Sequence, residues 1–319
     1  MIELKELNVC YSNRKFFSFQ SVELKAVEDV SFHIPKGSIL GLVGESGCGK
    51  STLGRAILQL VPIKSGTISY DGQNIHALKS SDQMNLRKKI QVIFQDPYSS
   101  LNPRLTIGEI ITEGLLVHNK KLTRSERTEL ARTSLQQVNL SDSILSRYPH
   151  EFSGGQRQRI AIARALILKP ELVICDEAVS ALDISTQAQV INTLLDLRDK
   201  LNLSYLFISH DLNIVNHISD SIAVMYLGKI VEIGTKKQIM EQPAHPYTKA
   251  LFSASFDLKK RGRTSRPLVG EIPSISKKPS GCYFHTRCPI AKDICKVETP
   301  LVKSMDGERK VACHFPILT

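Results

Sequence analysis

An α/β core interrupted by a helical insertion is the architecture this sequence predicts, on three observations. Residues 44–51 read Gly-Glu-Ser-Gly-Cys-Gly-Lys-Ser, which fits G-x-x-x-x-G-K-[ST]. A short apolar, strand-like segment (38–43) precedes that motif, and a segment of helical spacing (52–58) follows it. Residues from about 166 to 235 alternate strand-like and helix-like stretches, with buried-strand runs at 172–175 and 205–208. Between these zones, residues from about 96 to 165 read mostly helical, with long polar stretches such as 123–138.

The first 95 residues or so read as short alternating strands, with Asp71-Gly72 as a turn signal. The motif at 44–51 then has the strand–turn–helix context of a phosphate-binding loop. Backbone N–H groups and the positive end of a helix converge there on an anion. The competing reading, a Gly-rich turn with an exposed lysine, does not account for both flanks. The expected ligand is a nucleoside triphosphate, cradled by Gly44, Glu45, Ser46, Gly47, Cys48, Gly49, Lys50, Ser51 and Thr52. Cys48, near a helix N-terminus, is expected to favour its thiolate. The apolar run 172–175 ends in Asp176-Glu177, as a second phosphate-site strand should. Asp176 and the Ser51 hydroxyl can serve Mg²⁺, and Glu177 is placed to polarise an attacking water.

The chain has 319 residues, 42% hydrophobic and 23% charged, ordinary values for a globular protein. No run approaches the roughly 18–20 apolar residues of a membrane span. The N-terminus, Met1-Ile2-Glu3-Leu4-Lys5, lacks the order of a secretory signal. A cytosolic chain is expected, with any membrane role coming through partners. The net charge of +11 is concentrated late: residues 257–319 hold 13 Lys/Arg against 6 Asp/Glu. A solvated basic tail near an anionic membrane surface fits this better than nucleic-acid binding, because clustered aromatics and a nucleic-acid motif are both missing.

Residues 152–156 read Phe-Ser-Gly-Gly-Gln before a helical run at 157–166. Here the chain resembles the ATPase subunits of ABC transporters, whose signature is Leu-Ser-Gly-Gly-Gln. Gln95 resembles the Q-loop glutamine, Ser180-Ala181-Leu182-Asp183 the D-loop, and His210 the switch histidine. Tyr11 stands where the family places an aromatic on adenine, with Phe16, Phe17 and Phe19 as alternatives. The resemblance covers about residues 1–245. It implies an ABC-type nucleotide-binding domain: a RecA-like core, an antiparallel β subdomain and a helical subdomain at about 96–165. It also implies ATP hydrolysis to ADP and phosphate in a head-to-tail dimer. Lys50 then holds phosphate, while Ser51, Gln95 and Asp176 serve Mg²⁺. Glu177 is general base and His210 fixes the γ-phosphate and water. Ser153, Gly154, Gly155 and Gln156 reach the partner's ATP. Phe152 for Leu is a mild departure, one apolar anchor for another.

Residues 94–104, 205–212, 245–248 and 281–289 narrow the resemblance to the oligopeptide/dipeptide importer branch, closest to its F-type ATPase subunit. That implies a D-type ATPase, two permeases and an extracellular binding protein as partners, no nucleic acid, and a place at the cytoplasmic face of the membrane. Peptide is the implied cargo, with nickel or glutathione as alternatives. Residues 246–319 form the branch's C-terminal extension, with Cys282, Cys288, Cys295 and Cys313 spaced C-x5-C-x6-C-x17-C. The cluster suggests metal or redox chemistry more than disulfides. A [4Fe–4S] cluster comes first on resemblance, zinc with His285 or His314 second, and four reduced thiols third.

Overall fold

A buried five-residue strand feeding a glycine turn organises the structure, a computed structural model that describes residues 1–14, 21–256 and 270–317. The chain opens with β1 (Ile2–Arg14), β2 (Ser21–Ile34) and β3 (Ile39–Val43), then α1 (Lys50–Ile57). β4 (Ser65–Tyr70) and β5 (Gln73–Asn74) precede α2 (Ser80–Lys89), β6 (Ile90–Ile93) and the one-turn α3 (Pro97–Ser100). A helical stretch follows: α4 (Ile107–His118), α5 (Arg124–Gln137) and α6 (Gly154–Leu166). Strand–helix alternation returns with β7 (Leu172–Asp176), α7 (Ile184–Leu201), β8 (Ser204–Ile208), α8 (Leu212–Ile218), β9 (Ser221–Tyr226) and β10 (Lys229–Thr235). Last come α9 (Lys236–Glu241), α10 (Pro246–Phe256), α11 (Asp293–Val297), β11 (Lys303–Ser304) and β12 (Lys310–Val311).

These elements form two compact units. One holds residues 1–33, 39–76 and 209–319; the other holds 34–38 and 77–208. In the first, an antiparallel sheet runs β2-β1-β4-β5, and a second layer runs β11-β12-β10-β9-β3. There β3 pairs in parallel with β9, Leu40 opposite Ser221, and β9 pairs antiparallel with β10. All five residues of β3 are buried, as expected of a parallel strand covered on both faces. In the second unit β6, β7 and β8 run parallel, with Leu172 paired to both Ile90 and Ser204.

Local chemistry sets the helix starts. Thr106/Glu109, Thr123/Glu126, Ser153/Gln156 and Thr235/Gln238 each form a reciprocal capping box at the N-termini of α4, α5, α6 and α9. The polar α5 buries only Ala131, Ser134 and Leu135. The polar stretch 123–138 is this helix plus its two caps.

The tail is part of the first unit. β12 extends the sheet by pairing with β10, Glu232 opposite Val311. Glu232, wholly buried, meets the buried Arg309 at 2.7 Å and accepts the N–H groups of Ala244 and His245 at 2.9 Å each. A buried ion pair is tolerated only when its remaining lone pairs are satisfied in this way. Tyr226, Tyr247 and Phe284 pack with ring centroids 4.7–5.4 Å apart, adding aromatic burial between β9 and the tail.

Candidate nucleotide site

The first unit supplies the phosphate loop. Gly44 (φ 152°), Gly47 (φ 76°) and Gly49 (φ 111°) all have positive φ. A Cβ at Gly44 would lie 2.2 Å from the Met225 carbonyl oxygen, and one at Gly49 2.4 Å from that of Ala26. Only glycine satisfies both the backbone angle and the close approach. Gly47 has open space around it and needs glycine for its angle alone. The Cys48 carbonyl accepts the Gly228 N–H at 2.8 Å, fastening the loop to the β9–β10 turn.

Lys50 is buried, and its ammonium donates to the carbonyls of Gly44 (2.7 Å) and Glu45 (3.0 Å). The cation is thus centred over the turn where an anion would be met. Ser46 and Gly47 form the exposed rim, while Ser51 and Thr52 are half-buried in the first turn of α1. The Tyr11 hydroxyl lies 3.4 Å from Thr52 Oγ1, and its ring is partly exposed. Phe16, Phe17 and Phe19 lie outside the described residues. His210 is exposed just before α8, whose N-cap Asp211 accepts the Asn213 N–H.

Cys48 departs from expectation. It is buried, 3.8 Å from Lys50 Nζ, and burial pushes its thiol up in spite of that cation. The helix terminus does not make it a reactive thiolate, because desolvation outweighs the nearby charge.

The second unit carries the other residues expected from the sequence. Gln95 is exposed beyond β6, next to Asp96, which caps α3 through the Tyr98 N–H at 2.8 Å. Asp176 and Glu177 end β7 half-buried. Glu177 stands at φ 50°, a left-handed conformation that a non-glycine residue adopts only under local constraint. That constraint comes from its own backbone: its N–H donates to Ile208 O at 3.0 Å, and its carbonyl accepts from Ser180 N and Ser180 Oγ. Sequence reasoning found the carboxylate but had no signal for the strained backbone that carries it.

At the signature turn, Ser153 Oγ accepts the Gln156 N–H at 3.4 Å and Gln156 Oε1 accepts the Ser153 N–H at 3.0 Å. Gly155 is buried, and a Cβ there would fall 2.0 Å from Thr186 Cγ2 on α7. One at Gly154 would meet only Leu182, at 3.3 Å. The paired glycines therefore differ: Gly155 lets α6 approach α7, and Gly154 is less constrained. Phe152 is buried beneath the Arg147 guanidinium, which sits 4.7 Å from the ring centroid, as an apolar anchor should be. The second unit also holds a cavity of about 590 Å³ lined by Leu130, Gln137, Leu166, Pro170 and Leu203. None of the expected site residues lines it.

Cys282, Cys288, Cys295 and Cys313 all line one small cavity of about 10 Å³, together with His245, His285 and His314. That is room for a single water-sized guest. Burial pushes up the thiols of Cys282 and Cys288, and that of Cys313 to about 11. Among the described residues no group of three or more His, Cys, Asp or Glu side chains is set to hold a metal ion. The four cysteines, which span 32 residues of sequence, thus come together around one cavity. Among the described residues no helix is long and apolar enough to cross a membrane.

Comparison with known proteins agrees with this geometry. The ABC transporter family matches residues 27–180, and the C-terminal region of oligopeptide/dipeptide transporters matches residues 231–295. The oligopeptide transport ATP-binding protein AppF of Bacillus subtilis is 50% identical over 99% of this chain and 97% of its own length. Two solved structures are similar in fold at a TM-score of 0.65. One is the ATP-binding cassette MJ0796 in a post-hydrolysis state with ADP and Pi, at 26% identity over 74% of this chain and 99% of that one. The other is CbiO1 of Clostridium perfringens, part of the ABC transporter complex CbiONQ, at 25% identity over 76% of this chain and 90% of that one. With the loop, the acidic strand end and the signature turn in place, the chain belongs to the ATP-binding-protein family of ABC transporters, in its oligopeptide/dipeptide branch, and its reaction is the hydrolysis of ATP.

Proposed function

We propose that this chain is the subunit whose ATP hydrolysis energises peptide import across the cell membrane in a multi-subunit ABC transporter. The phosphate loop carries this reading. Gly44 and Gly49 admit no side chain and the lysine is centred on the turn, in a chain similar over nearly its whole length to an oligopeptide transport ATP-binding protein. Residues 1–245, with a helical subdomain at about 96–165, act as the nucleotide-binding domain. Residues 246–319 are the extension.

In this reading Lys50 and the loop N–H groups hold the triphosphate, and Tyr11 stacks on adenine. Ser51, Gln95 and Asp176 offer the oxygen donors that Mg²⁺ prefers. The ion, when bound, neutralises charge on the phosphates. Glu177 takes the proton of the attacking water, and His210 holds the water and γ-phosphate in line. Ser153, Gly154, Gly155 and Gln156 serve the nucleotide of a head-to-tail partner, a D-type ATPase. Two permeases and an extracellular binding protein complete the assembly, which places the chain peripherally at the cytoplasmic face. The test is purification of the tagged chain from solubilised membranes. Permeases should co-purify, and deleting the chain should abolish growth on peptides. A soluble complex without permeases would reject the reading.

The four-cysteine cavity supports a finer reading, a [4Fe–4S] cluster or, second, one zinc ion, either of which requires the thiols to deprotonate and the cavity to rearrange. Anaerobic purification with iron, sulfide and zinc analysis tests it. Neither metal at stoichiometric levels rejects both.

A further inference from the structure

The phosphate loop carries its own liability. Glu45, its second residue, is an acid in a turn built for a polyanion. Its carboxylate is met by a residue 242 positions later: Arg287 Nη1 donates to Glu45 Oε2 at 2.7 Å and Nη2 to Oε1 at 2.9 Å. This is a fork-to-fork pair, the strongest geometry open to two such groups. The Arg287 side chain is only 4% exposed, so the pair acts in a low-dielectric setting where charge counts for more. A second contact from the tail reaches the same residue, the Glu45 N–H donating to the buried Tyr247 hydroxyl at 3.0 Å.

Arg287 is itself rigidly held. It ends the turn 282–287, where Arg287 N donates to Phe284 O at 3.0 Å, His285 N to Cys282 O and Cys282 N to Cys295 O, each at 2.9 Å. Phe284 packs between Tyr226 and Tyr247. A second anchor ties the same segment to β2, with Tyr283 Oη donating to Glu28 Oε2 at 2.8 Å and Lys278 Nζ at 3.1 Å.

We infer that Arg287 of the C-terminal tail is a positioning residue for ATP binding: it neutralises Glu45 and holds that carboxylate away from the triphosphate, so that the loop can accept an anion. This rests on the loop being the nucleotide site. It assigns the tail a direct task in the nucleotide cycle. The site's charge balance then depends on the tail being folded.

The test is ATP affinity of the full chain by equilibrium binding, with the melting temperature of each nucleotide-free variant as control. Removing the compensating charge in Arg287→Met should weaken ATP binding by ~10-fold. Restoring neutrality in the double variant Arg287→Met/Glu45→Gln should bring affinity back to within ~3-fold of wild type. If Arg287→Met does not fold, Arg287→Gln carries the same expectation. A merely structural arginine would not be rescued by changing the charge of its partner. Wild-type affinity in the single variant, or a double variant as weak as the single, overturns the inference. A wild-type chain that binds no ATP would overturn instead the reading on which it rests.

Discussion

The phosphate loop at 44–51 and the signature turn at 153–156 look alike in sequence, since each is a Gly-rich turn opening a helix, but they are built differently. In the first, positive φ angles and neighbouring carbonyls exclude any side chain from Gly44 and Gly49, and burial, the β9–β10 turn and the tail fasten the loop. In the second, neither glycine has positive φ, and the helix start closes on itself through the Ser153–Gln156 box. One turn is held from outside and ready for an anion. The other is self-capped, and its constraint lies behind it, where Gly155 faces Thr186. A turn that must bind in its own chain needs fixed walls. On the proposed head-to-tail reading, the signature turn, which reaches another chain's ligand, needs only a rigid base and donors that can exchange partners.

The largest effect should separate chemistry from binding. Glu177→Gln keeps size and hydrogen bonding while removing the base, so ATP binding at the loop should survive. Turnover in the assembled complex should fall by roughly 10²-fold or more. Near-normal turnover would reject Glu177 as base.

Next comes the difference between the two signature glycines. Gly155→Ala drives a methyl into Thr186 Cγ2 and should cost about 1–3 kcal/mol of stability. Thr186→Ser should return most of it in the double variant by removing that methyl. Gly154→Ala should be close to neutral, and denaturant midpoints decide. Equal costs for the two alanines would mean that the turn is not based on α7.

Acid should act on the unit that holds the phosphate loop. Burial pushes His245 down to about 3 from its ordinary 6.5, and its Nδ1 accepts the Tyr247 N–H at 3.0 Å. The unfolded chain therefore takes up a proton at His245 that the folded chain refuses. Stability should fall as pH drops from 6.5 toward 3, by about 1.4 kcal/mol per pH unit from this group alone. His245→Asn keeps an acceptor that does not titrate, and its unfolding curves should show a flatter acid limb.

The smallest effect belongs to the self-cap. Ser153→Ala should lower stability by about 1 kcal/mol. It should leave ATP binding by the lone chain unchanged and reduce hydrolysis only when two ATPases are assembled. Weakened binding by the lone chain would erase the distinction between the turns.

Much of this was legible in the residues because it is local. The runs 172–175 and 205–208 became β7 and β8 to within one residue, and the helical run read at 157–166 became the body of α6. The loop's strand–turn–helix context followed from apolar runs on either side of three glycines. What was not legible depends on long-range pairing. Arg287 and Glu45 are 242 residues apart, and Arg309 and Glu232 are 77 apart. No periodicity links either pair. The φ of Glu177 is set by β8 and Ser180, which leave no mark at position 177 itself. Cys48 misled because helix position argues for a thiolate, whereas burial, a tertiary property, argues more strongly against one.

The most direct test of the whole account is ATP hydrolysis by the purified complex in lipid vesicles, measured with and without peptide-loaded binding protein. Hydrolysis should rise with the loaded binding protein, be accompanied by peptide uptake, and disappear in Lys50→Ala. Peptide uptake that persists with Lys50→Ala, or hydrolysis indifferent to the loaded binding protein, would contradict the account.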